Sequence, residues 1–215
     1  MQFTPGLYLS PGDPRDFLYR SMVPPFGLPV RFSRRSEFAP TRNQGQYGTC
    51  VGFATAAVKD NQEARNYPGR GIVLSPLHLY ALCKAQDGIP DKEGTYPRVA
   101  MQVLHKAGIC QEEILPYSRM SWPKLPEVPN EANTDGQQFK IGAYARLQTL
   151  DEVKQAIVRD GPVLAGILVC ENFMHPTERG IIDTPSGRIL GGHAICVMGY
   201  DDTMTARGHT GFLEV

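Results

Sequence analysis

The order of the periodic segments along the chain predicts an α+β fold. Three helical patterns come first, at residues 50–65, 75–82 and 97–107. Strand-like patterns follow, at residues 139–146, 162–169 and 193–200, and a helix with a capping box at residues 149–152 interrupts them. Because helices and strands are segregated along the chain, we expect two lobes that face each other across a cleft.

The helical patterns carry start and stop signals. The apolar face of the first helix consists of Val51, Phe53, Ala54, Ala57 and Val58. A face this wide predicts a buried helix. Ser75 is a typical N-cap, and Pro76 after it suits the first helical position. Gly108 predicts the end of the third helix.

Two proline-rich stretches divide the chain. Helix cannot persist through the prolines of residues 116–129. We therefore expect a linker between a helical lobe at about 44–125 and a β lobe at about 126–215. We predict that residues 1–27 form an extended N-terminal arm and that residues 28–215 form one domain. The arm is either a loose terminus or a strap that packs on the body through apolar residues such as Tyr19.

Composition excludes several classes of function. The 215 residues are 41% hydrophobic and 20% charged, with 22 basic and 22 acidic side chains, so we expect neither nucleic acid nor a membrane as partner. No apolar run approaches the ~18 residues of a membrane span, and the first residues do not read as a signal peptide. The five cysteines are irregularly spaced, which indicates a reducing compartment. We expect a cytoplasmic location, with export by another route left open.

Cys50 is the candidate nucleophile because it stands where a glycine-rich loop enters a helix. The unpaired N–H groups and positive end of a helix favour a thiolate over a thiol. Gly45 and Gly48 allow the loop to turn sharply and a substrate to approach. The alternative is a buried structural cysteine, which is the commoner fate of this residue type.

Two further residues complete a catalytic hypothesis. His193 follows Gly191-Gly192 at the start of an apolar strand, where small neighbours leave the ring accessible. An imidazole there can take the proton of a thiol. The side-chain amide of Gln44, on the loop before Cys50, can donate to an oxyanion together with the Cys50 N–H. Taken singly, the histidine could be a core residue and the glutamine a solvated one.

Together these segments resemble the papain-like cysteine peptidases, in particular bacterial-type members. Cys50 and His193 are about 140 residues apart, and in that family the histidine follows the cysteine by roughly 130–150 residues. The arm segment at residues 13–16 also looks like the N-terminal segment of bacterial-type members. The resembling segments of the domain are residues 43–54, 74–83, 93–97, 161–169 and 191–200.

The resemblance implies a papain-like two-lobe fold, with a helical lobe and a β-barrel-like lobe on either side of the active-site cleft. It also implies peptide bond hydrolysis through an acyl-enzyme, with Cys50, His193 and Gln44 as catalytic residues. Substrate backbone would bind at Gly94 and Thr95. The remaining predicted substrate-binding residues are Tyr96, Pro97, Gly166, Gly192 and Ala194. Because Gly166 and Ala194 are small, we expect a pocket that accepts a large apolar or aromatic side chain.

The sequence departs from the family pattern in several places. Tyr47 replaces the usual cysteine before the nucleophile, so the associated disulfide is absent, and Thr95 replaces one glycine of a Gly-Gly pair. The arm is shorter than the usual inhibitory propeptide, which argues against a role in latency. In the family, an Asn orients the histidine, and residues 211–215 resemble the strand that leads to this Asn. The sequence ends at Val215 before the Asn is reached, so we expect a β lobe that is incomplete at its C-terminus.

Three functions remain open on this basis. The first is a cysteine peptidase acting on peptides or proteins, with a protein inhibitor left open as a further partner. The second is a catalytically impaired papain-fold module that binds peptides or proteins. The third is an acyltransferase or transglutaminase-like enzyme that uses the same Cys–His chemistry with another acceptor. No His/Cys cluster has zinc-like spacing, so we predict no metal and no cofactor.

Overall fold

The computed structural model describes residues 4–215. In that range the helices are α1 (Cys50–Asn66), α2 (Pro76–Lys84), α3 (Pro97–Lys106), α4 (Asn130–Gly136) and α5 (Leu150–Arg159). The strands are β1 (Arg31–Ser33), β2 (Val163–Cys170), β3 (Ile189–Val197), β4 (Gly199–Ala206) and β5 (His209–Glu214).

The helical lobe is built around α1, whose first turns are buried. Val51 is fully buried, and α1 packs against α2 and α3. Gly52 permits this approach, because a Cβ there would lie 2.8 Å from the Pro76 carbonyl oxygen. A second apolar cluster forms where Ala132 of α4 packs with Leu77 and Tyr80. These contacts hold the start of α1 in a fixed position.

The predicted helix signals are confirmed. Ser75 Oγ accepts from the His78 N–H at 3.0 Å and donates to the Leu115 carbonyl at 2.6 Å, so this cap also ties α2 to a neighbouring segment. Gly108 follows α3 with φ +72°, a conformation that favours glycine. Thr149 caps α5 by accepting from the Glu152 N–H at 3.1 Å.

The β lobe consists of two small antiparallel sheets. Strands β2 and β3 form one sheet, in which Gly166 is paired with Ala194 and Ile167 with His193. Strands β1, β4 and β5 form the other, in the order β1-β4-β5. Within residues 4–215 the strands do not close into a barrel. Strand β3 packs against α1, which brings the two lobes together.

The strand predicted at residues 139–146 is wrong. Residues Gln137–Phe139 form a 3-10 turn, and Phe139 is buried in the core of the helical lobe. The next residues form no strand: the Ile141 N–H donates to the Leu104 carbonyl, and Arg146 forms an isolated bridge with Leu18 of the arm. The apolar alternation here reflects a crossing between lobes, where there is no neighbouring strand.

The sequence also missed two elements and a break. Neither α4 nor β1 was predicted, because each is too short to show a clear periodicity. The strand predicted at residues 193–200 is divided at Met198 between β3 and β4. Met198 bonds through its N–H to Glu214 and through its carbonyl to Arg34, so the chain changes sheets at this residue.

The arm is a strap that packs on the body. Asp16 accepts from Arg98 at 2.6 Å and from Arg146 at 3.2 Å, so one carboxylate ties the arm to both lobes. The buried Tyr19 donates to Asp160 at 2.6 Å. Phe17, in contrast, is 70% exposed and provides no anchor.

The two helix caps are expected to differ in their contribution to stability. Thr149→Ala should lower the free energy of unfolding by about 1 kcal/mol, the usual cost of losing an N-cap. Ser75→Ala should cost about 2–3 kcal/mol, because it also leaves the carbonyl of the buried Leu115 without its donor. Urea denaturation of both variants measures the difference, and equal losses would contradict the double role of Ser75.

Candidate active site

Cys50 lies at the contact between the two lobes. It is the first residue of α1 and is 1% exposed. Its Sγ accepts from the backbone N–H of Ala194 on β3 at 3.4 Å. The thiol therefore sits at a helix N-terminus and faces the strand that carries His193, which is the arrangement that the sequence predicted for these residues.

The imidazole of His193 is half-buried on β3, one residue before the strand amide that contacts Cys50. Phe173 packs edge-on against the ring, with centroids 5.8 Å apart. Burial lowers the pKa of His193. Phe173 was not identified from the sequence, because it belongs to the irregular segment between β2 and β3.

The electrostatics of the covered site favour neutral groups. Burial raises the pKa of the Cys50 thiol above its usual value, although backbone N–H groups of Ala194, Gly6 and Val51 lower it again in part. Burial acts on His193 in the opposite direction, since it disfavours the imidazolium. Thiol and imidazole are therefore both biased toward their uncharged forms in this state.

Gln44 is fixed on the loop that leads into α1. Its Nε2 donates to the Tyr47 carbonyl at 2.9 Å, and the same carbonyl accepts from the Thr49 N–H at 2.8 Å. A side-chain amide has two N–H donors. The bond to Tyr47 therefore orients the amide and leaves its second N–H for another acceptor.

The arm runs through the cleft over Cys50. On the side of the helical lobe, the Thr95 N–H donates to the Gly6 carbonyl and the Tyr8 N–H donates to the Thr95 carbonyl, both at 3.0 Å. On the side of the β lobe, the Leu7 N–H donates to the Gly192 carbonyl at 3.2 Å. Residues 6–8 thus bind as a strand between the lobes.

Most of the residues predicted to bind substrate lie along this part of the arm, namely Gly94, Thr95, Tyr96, Gly166 and Gly192. A Cβ on Gly94 would come within 2.7 Å of the Gly6 carbonyl oxygen, and one on Gly192 would overlap the Leu7 carbonyl oxygen. A Cβ on Gly166 would lie 2.7 Å from Leu7 Cδ1. Further along, the ring of Tyr96 lies 5.5 Å from that of Tyr8.

Pro97 and Gly166 also line a cavity behind Leu7. The cavity has a volume of about 870 Å³ and lies between the lobes, with Met101 and Leu164 among its apolar lining residues. Leu7 is one of its lining residues. Two of the residues predicted to shape the substrate pocket line this cavity, and its role in substrate binding stays a prediction.

The arm runs parallel to the segment that carries Thr95, with Leu7 paired to Thr95. Thr4 Oγ1 donates to the Gln46 carbonyl at 2.6 Å. The Gly6 N–H is among the backbone donors that lower the pKa of Cys50.

A buried lysine organises the loop that carries Gly94. Lys84 Nζ donates to the Asp87 carboxylate and to the carbonyls of Ile89, Lys92 and Gly94, at 2.7–3.1 Å. The Gly94 N–H in turn donates to Tyr80 Oη at 3.0 Å. Both peptide groups of Gly94 are thereby held from α2. These bonds hold the loop without a disulfide.

Other candidates for orienting the histidine are engaged elsewhere. Asn172 Nδ2 donates to the carbonyls of Asp183 and Thr184. Asp201 accepts from Thr203, and Asp202 forms an ion pair with Lys154 at 2.6 Å. The hydrogen bonds and the ion pair of these side chains are thus directed to other groups of the β lobe and of α5.

The described residues contain neither a metal-binding cluster nor a membrane-spanning helix. Within 4–215, no group of three or more His, Cys, Asp and Glu side chains is arranged to hold a metal ion. In the same range, no helix is both long and apolar enough to cross a bilayer. All five cysteines fall in this range and none forms a disulfide.

Comparisons with known proteins agree with this geometry. Residues 28–210 match the model of the papain family cysteine proteases. Cathepsin B-like cysteine proteinase 4 of Caenorhabditis elegans is 26% identical over 210 residues, which cover 80% of this chain and 62% of the relative. Mouse cathepsin K is 26% identical over 175 residues, which cover 80% of this chain and 50% of the relative. The chain thus spans about half to three fifths of these relatives.

Solved structures share the fold. Xylellain, a cysteine protease from Xylella fastidiosa, superposes with a TM-score of 0.78 at 25% identity, covering 92% of this chain and 80% of that one. Procathepsin L 3 of Tenebrio molitor has a TM-score of 0.68 at 20% identity, covering 91% of this chain and 61% of that one. The predicted two-lobe α+β fold is confirmed.

Gly6→Ala is expected to displace the arm from the cleft. A Cβ on Gly6 would overlap the backbone of Gly48, and neither peptide chain can move aside cheaply. Release exposes Cys50 and removes part of the burial that raises its pKa. Alkylation of Cys50 by iodoacetamide at pH 7 should accelerate roughly tenfold for each unit by which the pKa falls.

Peptide mapping by mass spectrometry measures the rate at Cys50 separately from the other thiols. Gly27→Ala is the matched control, since a Cβ on Gly27 meets no atom within 4 Å. An alkylation rate of Gly6→Ala equal to that of the control would contradict the observed path of the arm.

Proposed function

Because the chain belongs to the papain family of cysteine proteases, we propose that it hydrolyses peptide bonds, with Cys50 as nucleophile and His193 as its acid–base partner. The observation that carries the proposal is the peptide strand already bound in the cleft. Residues 6–8 pair with Thr95 on one side and Gly192 on the other, beside the Cys50 sulfur. A groove that holds a peptide backbone next to a thiol suits peptide substrates.

The proposed reaction proceeds through a thioester. The Cys50 thiolate attacks the scissile carbonyl carbon, and the carbonyl oxygen becomes an oxyanion that accepts from Gln44 Nε2 and the Cys50 N–H. His193, which has taken the thiol proton, passes it to the leaving amine as the C–N bond breaks. It then takes a proton from water, which attacks the thioester and releases the acid.

A substrate and the arm compete for the same contacts. Thr95, Gly94 and Gly192 are already bound to residues 6–8, so a substrate strand binds only when the arm has left. A substrate running in the opposite direction to the arm would present its carbonyl carbon at Cys50. In this proposal the arm therefore keeps the enzyme latent. On the sequence alone, the short length of the arm was an argument against this role.

A second candidate function is peptide binding without cleavage. In the covered cleft, burial raises the pKa of Cys50 and lowers that of His193. A neutral thiol is a poor nucleophile, so the fold could serve as a binding module. Transfer of the acyl group to an amine is a third outcome, which shares the thioester and differs only in its acceptor.

A peptidyl epoxide that alkylates active-site thiols tests the first function against the second. The full-length chain carrying Gly6→Ala should be labelled once, at Cys50, between pH 5 and 8, and should hydrolyse fluorogenic peptides. Cys50→Ala should lose both properties. Mass spectrometry of the products with added amine separates hydrolysis from transfer. A folded protein that binds peptides but neither reacts nor turns them over would establish the binding module instead.

We expect the cavity lined by Leu7 and Gly166 to set the cleavage preference. A leucine or larger apolar residue should be preferred at the substrate position that occupies this pocket. Gly166→Leu adds a side chain to the wall of this cavity, so the ratio of kcat/KM for a leucine substrate over an alanine substrate should fall by about 10–100-fold. Gly142→Leu is the control, because a Cβ there meets no atom within 4 Å. An unchanged ratio in Gly166→Leu would place the pocket elsewhere.

A further inference from the structure

The hydroxyl of Tyr117 joins the two ends of the loop that leads into α1. It donates to the Gln44 carbonyl at 2.7 Å, at the beginning of the loop. It also lies 2.7 Å from Oγ1 of the fully buried Thr49, the residue before Cys50. Because the Tyr117 proton goes to Gln44, the Thr49 hydroxyl is the donor in the second bond.

The Tyr117 ring is held independently of its hydroxyl. Phe53, one turn after Cys50 on α1, packs edge-on against it with centroids 4.5 Å apart. The backbone N–H of Tyr117 donates to the Glu112 carboxylate at 2.6 Å. Removal of the hydroxyl alone therefore leaves the ring in place and breaks only the bonds to the loop.

The loop ends are the two donors of the proposed oxyanion site. Gln44 carries the side-chain donor, and Cys50, directly after Thr49, carries the backbone donor. Inside the loop, both Gln44 Nε2 and the Thr49 N–H bind the Tyr47 carbonyl. This inner bonding fixes the loop shape, whereas the hydroxyl sets the distance between the ends.

We propose that Tyr117 is a positioning residue for the oxyanion donors, acting through the Gln44 carbonyl and the Thr49 hydroxyl. The inference rests on the proposed peptidase function and adds a residue to it. Tyr117 touches neither substrate nor the reacting atoms. Its contribution is the spacing of Gln44 Nε2 and the Cys50 N–H, which must match an oxyanion that exists only during reaction.

This role has a kinetic signature that a purely structural role lacks. Oxyanion donors act on the transition state more than on the bound substrate, so Tyr117→Phe should lower kcat and leave KM nearly unchanged. The decrease should be about tenfold, less than the roughly 10²–10³ that follows complete loss of a donor. Alkylation of Cys50 by iodoacetamide forms no oxyanion, so its rate should stay the same.

A double-mutant cycle with Gln44→Ala tests the route of the effect. The four proteins are compared in the full-length chain, each carrying Gly6→Ala, with a fluorogenic peptide. If Tyr117 acts by positioning Gln44, Tyr117→Phe should cost about tenfold in kcat when Gln44 is present and less than twofold when it is absent. Tyr67→Phe is the matched control, since Tyr67 is an exposed residue at the far end of α1.

The outcomes are distinct. Non-additive losses in kcat with an unchanged alkylation rate support the positioning role. Unchanged kcat in Tyr117→Phe, equal losses in both backgrounds, or a loss confined to KM would overturn it and leave the peptidase function standing. If the parent protein shows no turnover with the arm in place or released, the proposed function fails and this role fails with it.

Discussion

The close approach of the arm backbone to the walls of the cleft is the interaction on which the site depends. Gly94 on one wall and Gly166 and Gly192 on the other leave no room for side chains next to residues 6–8. Hydrogen bonds with Thr95 and Gly192 hold the arm as a strand between the lobes. The same contact buries Cys50 and contributes a backbone donor to its sulfur.

This contact links the architecture to the chemistry. A groove shaped to hold a main chain is what a peptidase needs, and here its first occupant is the protein's own chain. Leu7 pairs with Thr95 in parallel, and the Gly6 N–H is among the backbone donors that lower the pKa of the thiol. Asp16, bound by Arg98 and Arg146, anchors the strap at a distance from the thiol. The arm is thus secured outside the cleft as well as within it.

The sequence predicted those features that depend on local chemistry. The cap at Ser75 and the capping box that starts at Thr149 were found because each uses a side chain and backbone groups a few residues apart. The buried face of α1 and the adjacency of Cys50 to β3 followed from periodicity and from family resemblance. The catalytic roles and the division into arm and lobes stay predictions.

The features that the sequence did not reveal are long-range. The position of the arm depends on backbone bonds between residues 6–8 and partners near residues 95 and 192, for which no side-chain pattern exists. The Tyr117 hydroxyl bonds to Gln44, far away in sequence. The alternation at residues 139–146 was misleading because it reflects burial on one side of a crossing segment, and pairing cannot be read from alternation alone.

Amide hydrogen exchange tests the central claim about the arm most directly. In the native full-length protein, the amides of Leu7 and Tyr8 donate to the Gly192 and Thr95 carbonyls, so both should exchange far more slowly than in an unstructured peptide. Exchange at Leu7 and Tyr8 as fast as in such a peptide, in a protein whose α1 amides stay protected, would contradict the account.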